Sequence, residues 1–475
     1  MAVRPYYVGG TWRTGARSAP VRNPFDDATV AEVGVPSDAD VEEAAATAVA
    51  TFRESRTLPV WKRAEALDHI SRRLAETLED NARSIALEGG KPLKWARSEA
   101  ARAVSTFRWA SEEVRRGDDE VMRFDTEQAL GSRLGIVRRF PYGPILGITP
   151  FNFPLNLVAH KVAPALAVGA PIVIKPAPAT PLGSLRLAEL FDETDLPKGM
   201  LQVLPVGNEV ADGMARDARY RKISFTGSGG VGWYLKGLDP KKRITLELGG
   251  NAGVIVHGDA DLDLAAKRVA FGGYYQAGQS CISVQRVLVQ EQVFDAFAAR
   301  LVKEVENLKV GDPLDPAVDV GPVIDRRNVE RIDAWVQEAV AGGATVLTGG
   351  RADGAFYVPT VLSTVDPEMK VCREEIFGPV VTIAPYATFE EAIERVNDPR
   401  YGLQAGVFTN DVTRAFQAHR DLEVGGVIVN DVSAFRADQM PYGGVKDSGV
   451  GREGLRYAME EMTEPRILVF SNVPL

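Results

Sequence analysis

Residues 144–176 read PILGITPFNFPLNLVAHKVAPALAVGAPIVIKP. Two short β-branched runs, ILGI and IVIK, enclose LNLVAHKVAPALAVG, a segment long enough for a crossover helix. Strand, helix and strand in that order make a parallel βαβ unit whose right-handed connection lays the helix back on the sheet. The alternation continues through the helical PLGSLRLAELFDETD and three more runs, LQVLPVG, RKISFTG and RITLELGG, as far as Gly250. An open, doubly wound parallel sheet is expected.

Beyond Gly250 a second series begins at AGVIVHG and runs through QRVLVQ, FDAFAARLVKEVENL, ATVLTGG, PVVTIAPYA, FEEAIERVND, GVFTN and GVIVND. It predicts a second α/β domain. Upstream, Ser37 with Asp40 three residues on forms a shortened capping box before VEEAAATAVATF. From Val60 to Ile85 apolar residues recur three or four apart, the spacing of one helix face. The first hundred residues are therefore expected to be mostly helical, with Val60 to Ile85 as one helix. Gly117 to Arg139 and the tail from Ala458 lack helical periodicity, and RILVF near the end suggests strands that pair outside both domains.

The chain has 475 residues, 45% of them hydrophobic and 25% charged, which excludes a disordered chain and a small disulfide-stapled scaffold. A net charge of -9 without long runs of one sign argues against nucleic acid as a partner. The most apolar stretch, Ala163 to Ile174, is shorter than the ~20 residues a membrane span needs. Only Cys281 and Cys372 occur, and MAVRPYYVGGTWRTG lacks a signal-peptide core, so a reducing cytoplasm is expected.

Gly227-Ser-Gly-Gly-Val-Gly232 follows the strand-like KISFT and matches the dinucleotide fingerprint. Read literally, Glu247 would hold a ribose, since an acidic residue about 20 positions on has that role. The glycines fit a plain strand-to-helix turn equally well. Cys281, among small and polar residues, reads as an accessible thiol that needs activation, because a free thiol of pKa ~8.5 is mostly protonated at neutral pH. His69, His160, His257 and His419 carry no signature of a catalytic base. Neither histidines nor cysteines show paired ligand spacing, so no metal is expected.

Six motifs then stand in order: Pro150-Phe-Asn-Phe-Pro154, Ile174-Lys-Pro176, Phe225-Thr-Gly-Ser228, Leu246-Glu-Leu-Gly-Gly250, Gly278-Gln-Ser-Cys281 and Glu374-Glu-Ile-Phe-Gly-Pro379. Together they resemble the NAD(P)-dependent aldehyde dehydrogenase superfamily, and the likeness extends from VGGTW to PYGGVKDSGVGREG. The loop Ala434-Phe-Arg-Ala-Asp-Gln-Met-Pro441 is most similar to the lactaldehyde and semialdehyde dehydrogenase branch.

The resemblance implies two doubly wound parallel-sheet α/β domains plus a small β oligomerisation element. Residues 1–117 and 138–248 would bind the cofactor, 249–445 form the catalytic domain, and 118–137 with 458–475 build the oligomerisation element of a homodimer or homotetramer. Glu247 becomes the general base in this reading. Cys281 would attack the aldehyde carbonyl, and Asn152 with the Cys281 amide would stabilise the oxyanion, a donor of this kind lowering a barrier by ~3 kcal/mol. Loss of hydride from the thiohemiacetal to the nicotinamide would leave a thioester for Glu247 to hydrolyse. Lys161 is an implied stabiliser.

On the cofactor side the resemblance places Lys175 at the adenosine ribose, Ser228 at the pyrophosphate and Glu375 at the nicotinamide ribose, with Phe377 beside it. Glu374 is left as a solvated neighbour. Thr149, Pro150, Phe151, Gly227, Gly232 and Leu248 would line the same cleft. NAD-preferring relatives often carry Glu where Pro178 stands, so the cofactor is NADP or NAD with the lean toward NADP.

For the substrate, a small polar aldehyde, the candidates are Phe153, Ser280, Ile282 and Arg436. Ser280 replaces the Arg of relatives that act on glyceraldehyde 3-phosphate. Arg436 could bind a substrate carboxylate or hydroxyl, or pair with Asp438 to hold its loop. The alternatives are a CoA-acylating aldehyde dehydrogenase, which typically lacks the Glu247 base, and a catalytically silent binding protein of the same fold.

Overall fold

The structure, a computed structural model, describes residues 2–117 and 119–473. The outer limits set above at residues 1, 118 and 475 lie outside the described residues.

Five parallel strands form the centre of the first sheet: β1 (Ile145–Ile148), β2 (Ile172–Lys175), β3 (Leu201–Val203), β4 (Lys222–Thr226) and β5 (Arg243–Glu247). Their order across the sheet is β5-β4-β1-β2-β3. The chain therefore winds outward from β1 in one direction and returns through β4 and β5 on the other side. The switch falls between β1 and β4, where an open α/β sheet leaves a crevice at its carboxyl edge. Three helices concern the site: α1 (Leu93–Arg116), α2 (Asn156–Val168), which is the crossover between β1 and β2, and α3 (Gly229–Leu238), which follows β4.

The second sheet contains β6 (Ala252–Val256), β7 (Val284–Gln290), β8 (Thr360–Ser363), β9 (Val380–Tyr386), β10 (Gln404–Phe408) and β11 (Gly426–Val429), ordered β8-β9-β7-β6-β10-β11 and all parallel. An antiparallel strand, Thr345–Thr348, borders β8. Each sheet has its own large apolar core. A third sheet is antiparallel, with Arg133–Pro141 between Glu120–Arg123 and Thr463–Ser471. Its central strand runs past residue 137, and a helix, Leu455–Glu461, occupies the start of the tail expected to be extended.

Two expectations fail locally. The first 35 residues hold five strands rather than helices, one of which, Tyr6–Val8, extends the first sheet antiparallel to β3. These strands are two to seven residues long, too short to show a period. The helix expected from Val60 to Ile85 is two, Val60–Glu76 and Leu78–Gly89. Thr77 leaves the helical region (φ -112°, ψ 25°) and its hydroxyl donates to the Arg73 carbonyl at 2.9 Å. Because Leu74 and Leu78 flank the break four residues apart and pack on the same core, the apolar face stays in phase across it. The capping box at Ser37 is present, with Asp40 answering it.

Candidate active site

The carboxyl edge of the first sheet gathers distant residues. Thr149 follows β1, Lys175 ends β2, Gly227 and Ser228 follow β4, and Glu247 ends β5 with Leu248 just beyond. Ser228 caps α3 through its backbone only, leaving its exposed hydroxyl free, and a Cβ at Gly229 or Gly230 would meet nothing within 4 Å. Open space over a helix N-terminus suits a phosphate group. Gly232 is where α3 approaches Leu248, its added Cβ standing 2.4 Å from the leucine Cδ2. The Lys175 ammonium is buried, which lowers its pKa to about 8 against the pull of Glu209, and it donates to Asn208. Pro178 is exposed nearby in sequence. These groups fit a dinucleotide: an open helix N-terminus for phosphate, a buried cation and the buried carboxylate of Glu375.

Glu375 accepts the Gly250 N–H at 2.9 Å, and burial lifts its pKa to about 7. The glycine pair behind Glu247 permits this approach. A Cβ on Gly249 would stand 2.1 Å from Glu375 Oε2, and one on Gly250 would stand 2.4 Å from the Cys281 carbonyl oxygen. Phe377 adopts φ 45° and meets Phe151 edge-on with ring centroids 5.9 Å apart. Glu374 is not merely solvated, since it accepts from Arg400 at 2.7 Å.

Cys281 is held by an irregular turn. Gln276, Ala277 and Gly278 all have positive φ (53°, 54° and 68°), a conformation that non-glycine residues adopt at a cost of ~1 kcal/mol or more each. Gly278 is required there, because a Cβ would lie 2.1 Å from the Gly378 carbonyl oxygen. The turn is fastened to Asn152, whose Nδ2 donates to the Gln279 carbonyl at 3.0 Å while its own carbonyl accepts from Gln276. A carbonyl only accepts, so it fixes the amide orientation, and the second N–H of Asn152 is left for another acceptor.

The sulfur of Cys281 lies 3.0 Å from the Tyr442 hydroxyl. Burial pushes the thiol pKa up to about 12, against that hydrogen bond and the charge of Arg436. No histidine serves as its partner: His69, His160 and His257 contact Glu193, Asp438 and Tyr386.

Glu247 is buried with neither carboxylate oxygen hydrogen-bonded, and burial, then the charge of Glu453, raises its pKa well above the ordinary value. The strand Gly449–Val450 pairs with the end of β5, with Gly449 opposite Glu247. This pairing brings the preceding loop over the carboxylate, and a Cβ on Gly443 would lie 3.0 Å from Glu247 Oε1. Cys281 and Glu247 thus converge on the adjacent residues Tyr442 and Gly443.

Arg436 does not pair with Asp438. Asp438 turns to Arg102 at 2.9 Å and His160 at 3.2 Å, whereas Arg436 donates to Glu453 at 2.9 Å and stacks 3.8 Å from the centre of the Tyr442 ring. Lys161 donates to Ser224, Thr226 and Glu453 at 3.0, 2.8 and 3.1 Å, so its three N–H groups are used. Burial opposes ionisation of Glu453, but Lys161 and Arg436 prevail and hold its pKa near about 2.

Cys281, Ser280, Ile282, Phe153 and Arg436 share the wall of one cavity of about 230 Å³. Arg102 of α1 and Arg268 also reach this wall. Sequence reasoning missed both, together with Tyr442 and Glu453. A faint signal existed on α1: Glu99 interrupts the buried stripe Ala96, Ala100, Ala103 and Phe107, and a charge in an apolar stripe marks a special site.

A crevice suited to a dinucleotide, opening beside a cysteine and a buried carboxyl, defines a nicotinamide-dependent oxidoreductase. Residues 12–468 match the model of the aldehyde dehydrogenase family, and the chain belongs to that family. It is an NAD(P)-dependent aldehyde dehydrogenase. The chain is 44% identical over 466 residues to a 3-sulfolactaldehyde dehydrogenase of Priestia megaterium, covering 98% of this chain and 97% of the relative. Aldehyde dehydrogenase 21 from Physcomitrella patens, solved with the reaction product succinate, superposes with a TM-score of 0.97 at 42% identity, covering 99% and 98% of the two chains. A glyceraldehyde-3-phosphate dehydrogenase from Methanocaldococcus jannaschii, complexed with NADP, has a TM-score of 0.92 at 39% identity, covering 96% and 100%. Among the described residues no helix is long and apolar enough to cross a membrane.

Proposed function

We propose that this enzyme oxidises a small polar aldehyde bearing an anionic group, of the sulfolactaldehyde or semialdehyde kind, to its carboxylic acid. The observation that carries the substrate class is the cavity beside Cys281, whose wall includes Arg102, Arg268 and Arg436. Arg102 Nε and Arg436 Nε are buried without a hydrogen-bond partner, and an unpaired buried donor gains most from an incoming anion. The Priestia and Physcomitrella relatives are named for, or hold, a sulfonated aldehyde and a dicarboxylate, which supports the same class.

Cys281 Sγ adds to the aldehyde carbon to form a thiohemiacetal, and the free N–H of Asn152 with the Cys281 amide stabilises the oxyanion. Loss of hydride from the thiohemiacetal carbon, for which NAD(P) would supply the acceptor, leaves a thioester. Lys175 and Ser228 would hold the adenosine ribose and pyrophosphate of NAD(P), Glu375 its second ribose, and Thr149, Pro150, Phe151, Leu248 and Phe377 would line its cleft. Glu247 then takes a proton from a water molecule, whose oxygen attacks the thioester carbon and releases the acid and the Cys281 thiol. Burial and the Glu453 charge bring Glu247 toward the pKa range where a carboxylate works as a base. Lys161 acts by holding Glu453.

The exposed proline at 178 supports NADP over NAD, because no carboxylate stands there to repel a 2′-phosphate. Exposed Ile467, Leu468, Val469 and Phe470 on the third sheet support assembly into a homodimer or homotetramer. Two free cysteines support a cytoplasmic home.

The test is a panel of 3-sulfolactaldehyde, succinate semialdehyde, glyceraldehyde 3-phosphate and lactaldehyde, each with NAD and NADP. An anionic aldehyde is expected to exceed lactaldehyde in kcat/KM by about tenfold or more, the worth of one charge-assisted contact. Equal values for all four would refute the anionic class.

A further inference from the structure

Among the described residues the Tyr442 hydroxyl has one hydrogen-bond partner, the sulfur of Cys281 at 3.0 Å. Its position is set from three sides. The backbone of Tyr442 exchanges two hydrogen bonds with that of Glu453, at 3.0 and 2.7 Å. The Glu453 carboxylate holds Arg436 at 2.9 Å. The Arg436 guanidinium returns to lie 3.8 Å from the centre of the Tyr442 ring. Backbone, ion pair and ring stack thus form a closed loop that leaves the phenol little freedom beside the thiol.

We propose that Tyr442 is a catalytic residue whose hydroxyl donates the hydrogen bond that stabilises the Cys281 thiolate. The proposal rests on Cys281 being the nucleophile. A thiol and a hydroxyl can exchange donor and acceptor roles, but a thiolate has no proton, so on ionisation the hydroxyl alone donates. In that step the S–H bond breaks, the proton passes to water in the cavity, and Tyr442 keeps its own proton. Burial raises the phenol pKa well above its ordinary value, so the hydroxyl remains a donor throughout the working range.

The surroundings make the contact matter. Of the charged groups around the sulfur, Arg436 favours the thiolate, whereas Glu375 and Glu247 oppose it. Arg102 and the neutral phenol of Tyr275 share the same cavity, and Tyr275 spends its hydroxyl on Ser280 at 2.7 Å. Burial and two carboxylates disfavour ionisation, so a directed donor is needed beside Arg436. Phenylalanine at 442 would keep the packing and the ring stack and lose only that donor.

The experiment compares the rate of Cys281 alkylation by iodoacetamide in the full-length enzyme and in Tyr442→Phe, with the labelled cysteine identified by mass spectrometry. At a fixed pH below the thiol pKa the variant is expected to react about tenfold more slowly, the effect of raising that pKa by one unit. Removing the hydroxyl also widens access to the sulfur, so a purely steric role predicts the opposite sign. An unchanged or faster rate, in a variant whose melting temperature and NADP binding match the parent, overturns the proposal. Cys281→Ala is assayed separately: retained dehydrogenase turnover there would refute the nucleophile assignment itself, whatever the alkylation rates show.

Discussion

Nη2 of Arg436 lies 2.9 Å from Oε2 of Glu453, with both side chains almost fully buried and the other Glu453 oxygen 3.1 Å from Lys161. One buried carboxylate therefore offsets two buried cations. Removing it leaves both uncompensated, a change that typically costs about 3–5 kcal/mol. Glu453→Gln is expected to lower stability by that order, read from denaturant unfolding. It also removes a negative charge that raises the Glu247 pKa, so the acidic limb of the kcat profile should move to lower pH. An unchanged stability would show that the triad is not the keystone of this loop.

Lys175 gives a second pH dependence. Burial lowers its pKa to about 8, so it is charged below that value and neutral above. NADP, with its 2′-phosphate, should bind more weakly as pH rises through about 8, by about tenfold between pH 7 and 9.5 if one charge-assisted contact is lost. NAD should be less affected. Fluorescence titrations with both cofactors measure the difference, and parallel curves would place the 2′-phosphate elsewhere.

Two glycines, Gly250 and Gly237, separate packing from propensity. Gly250→Ala drives a Cβ to within 2.4 Å of the Cys281 backbone oxygen, which cannot swing aside. The expected loss is about 1–3 kcal/mol of stability, with a displaced Cys281. Gly237→Ala lies in α3 with nothing within 4 Å of the new Cβ, and should stabilise by about 0.5–1 kcal/mol. Thermal melts of the two variants shifting in the same direction would contradict this packing.

Arg102→Ala should raise KM for an anionic aldehyde by about tenfold while changing kcat little, because uniform binding is what it removes. The same variant should leave lactaldehyde nearly unaffected. Equal losses on both substrates would assign Arg102 to holding Asp438 rather than to the substrate.

What could be read from the chain differs by residue. The alternation of β-branched runs with helical segments identifies both parallel sheets, because its signal repeats over a hundred residues. Cys281 and Glu247 stand in contiguous motifs that describe their own surroundings. Tyr442 was visible only as part of a motif, since its contact with Cys281 arises when Gly449 pairs with Glu247 at the end of β5, 202 positions away. Asp438, two residues away, was one of two partners open to Arg436, the other being substrate, yet it turns to Arg102 and His160, and Glu453 takes the ion pair. Thr77 breaks a helix without shifting its apolar phase, so periodicity could not reveal the break. Short strands before Val35 left no period to detect.

The most direct test of the cysteine and glutamate mechanism is mass spectrometry of Glu247→Gln after mixing with the preferred aldehyde and NADP. An acyl group on Cys281, formed with about one equivalent of reduced cofactor per site and then persisting, is the predicted result. Continued turnover, or reduced cofactor without an adduct on Cys281, would contradict it.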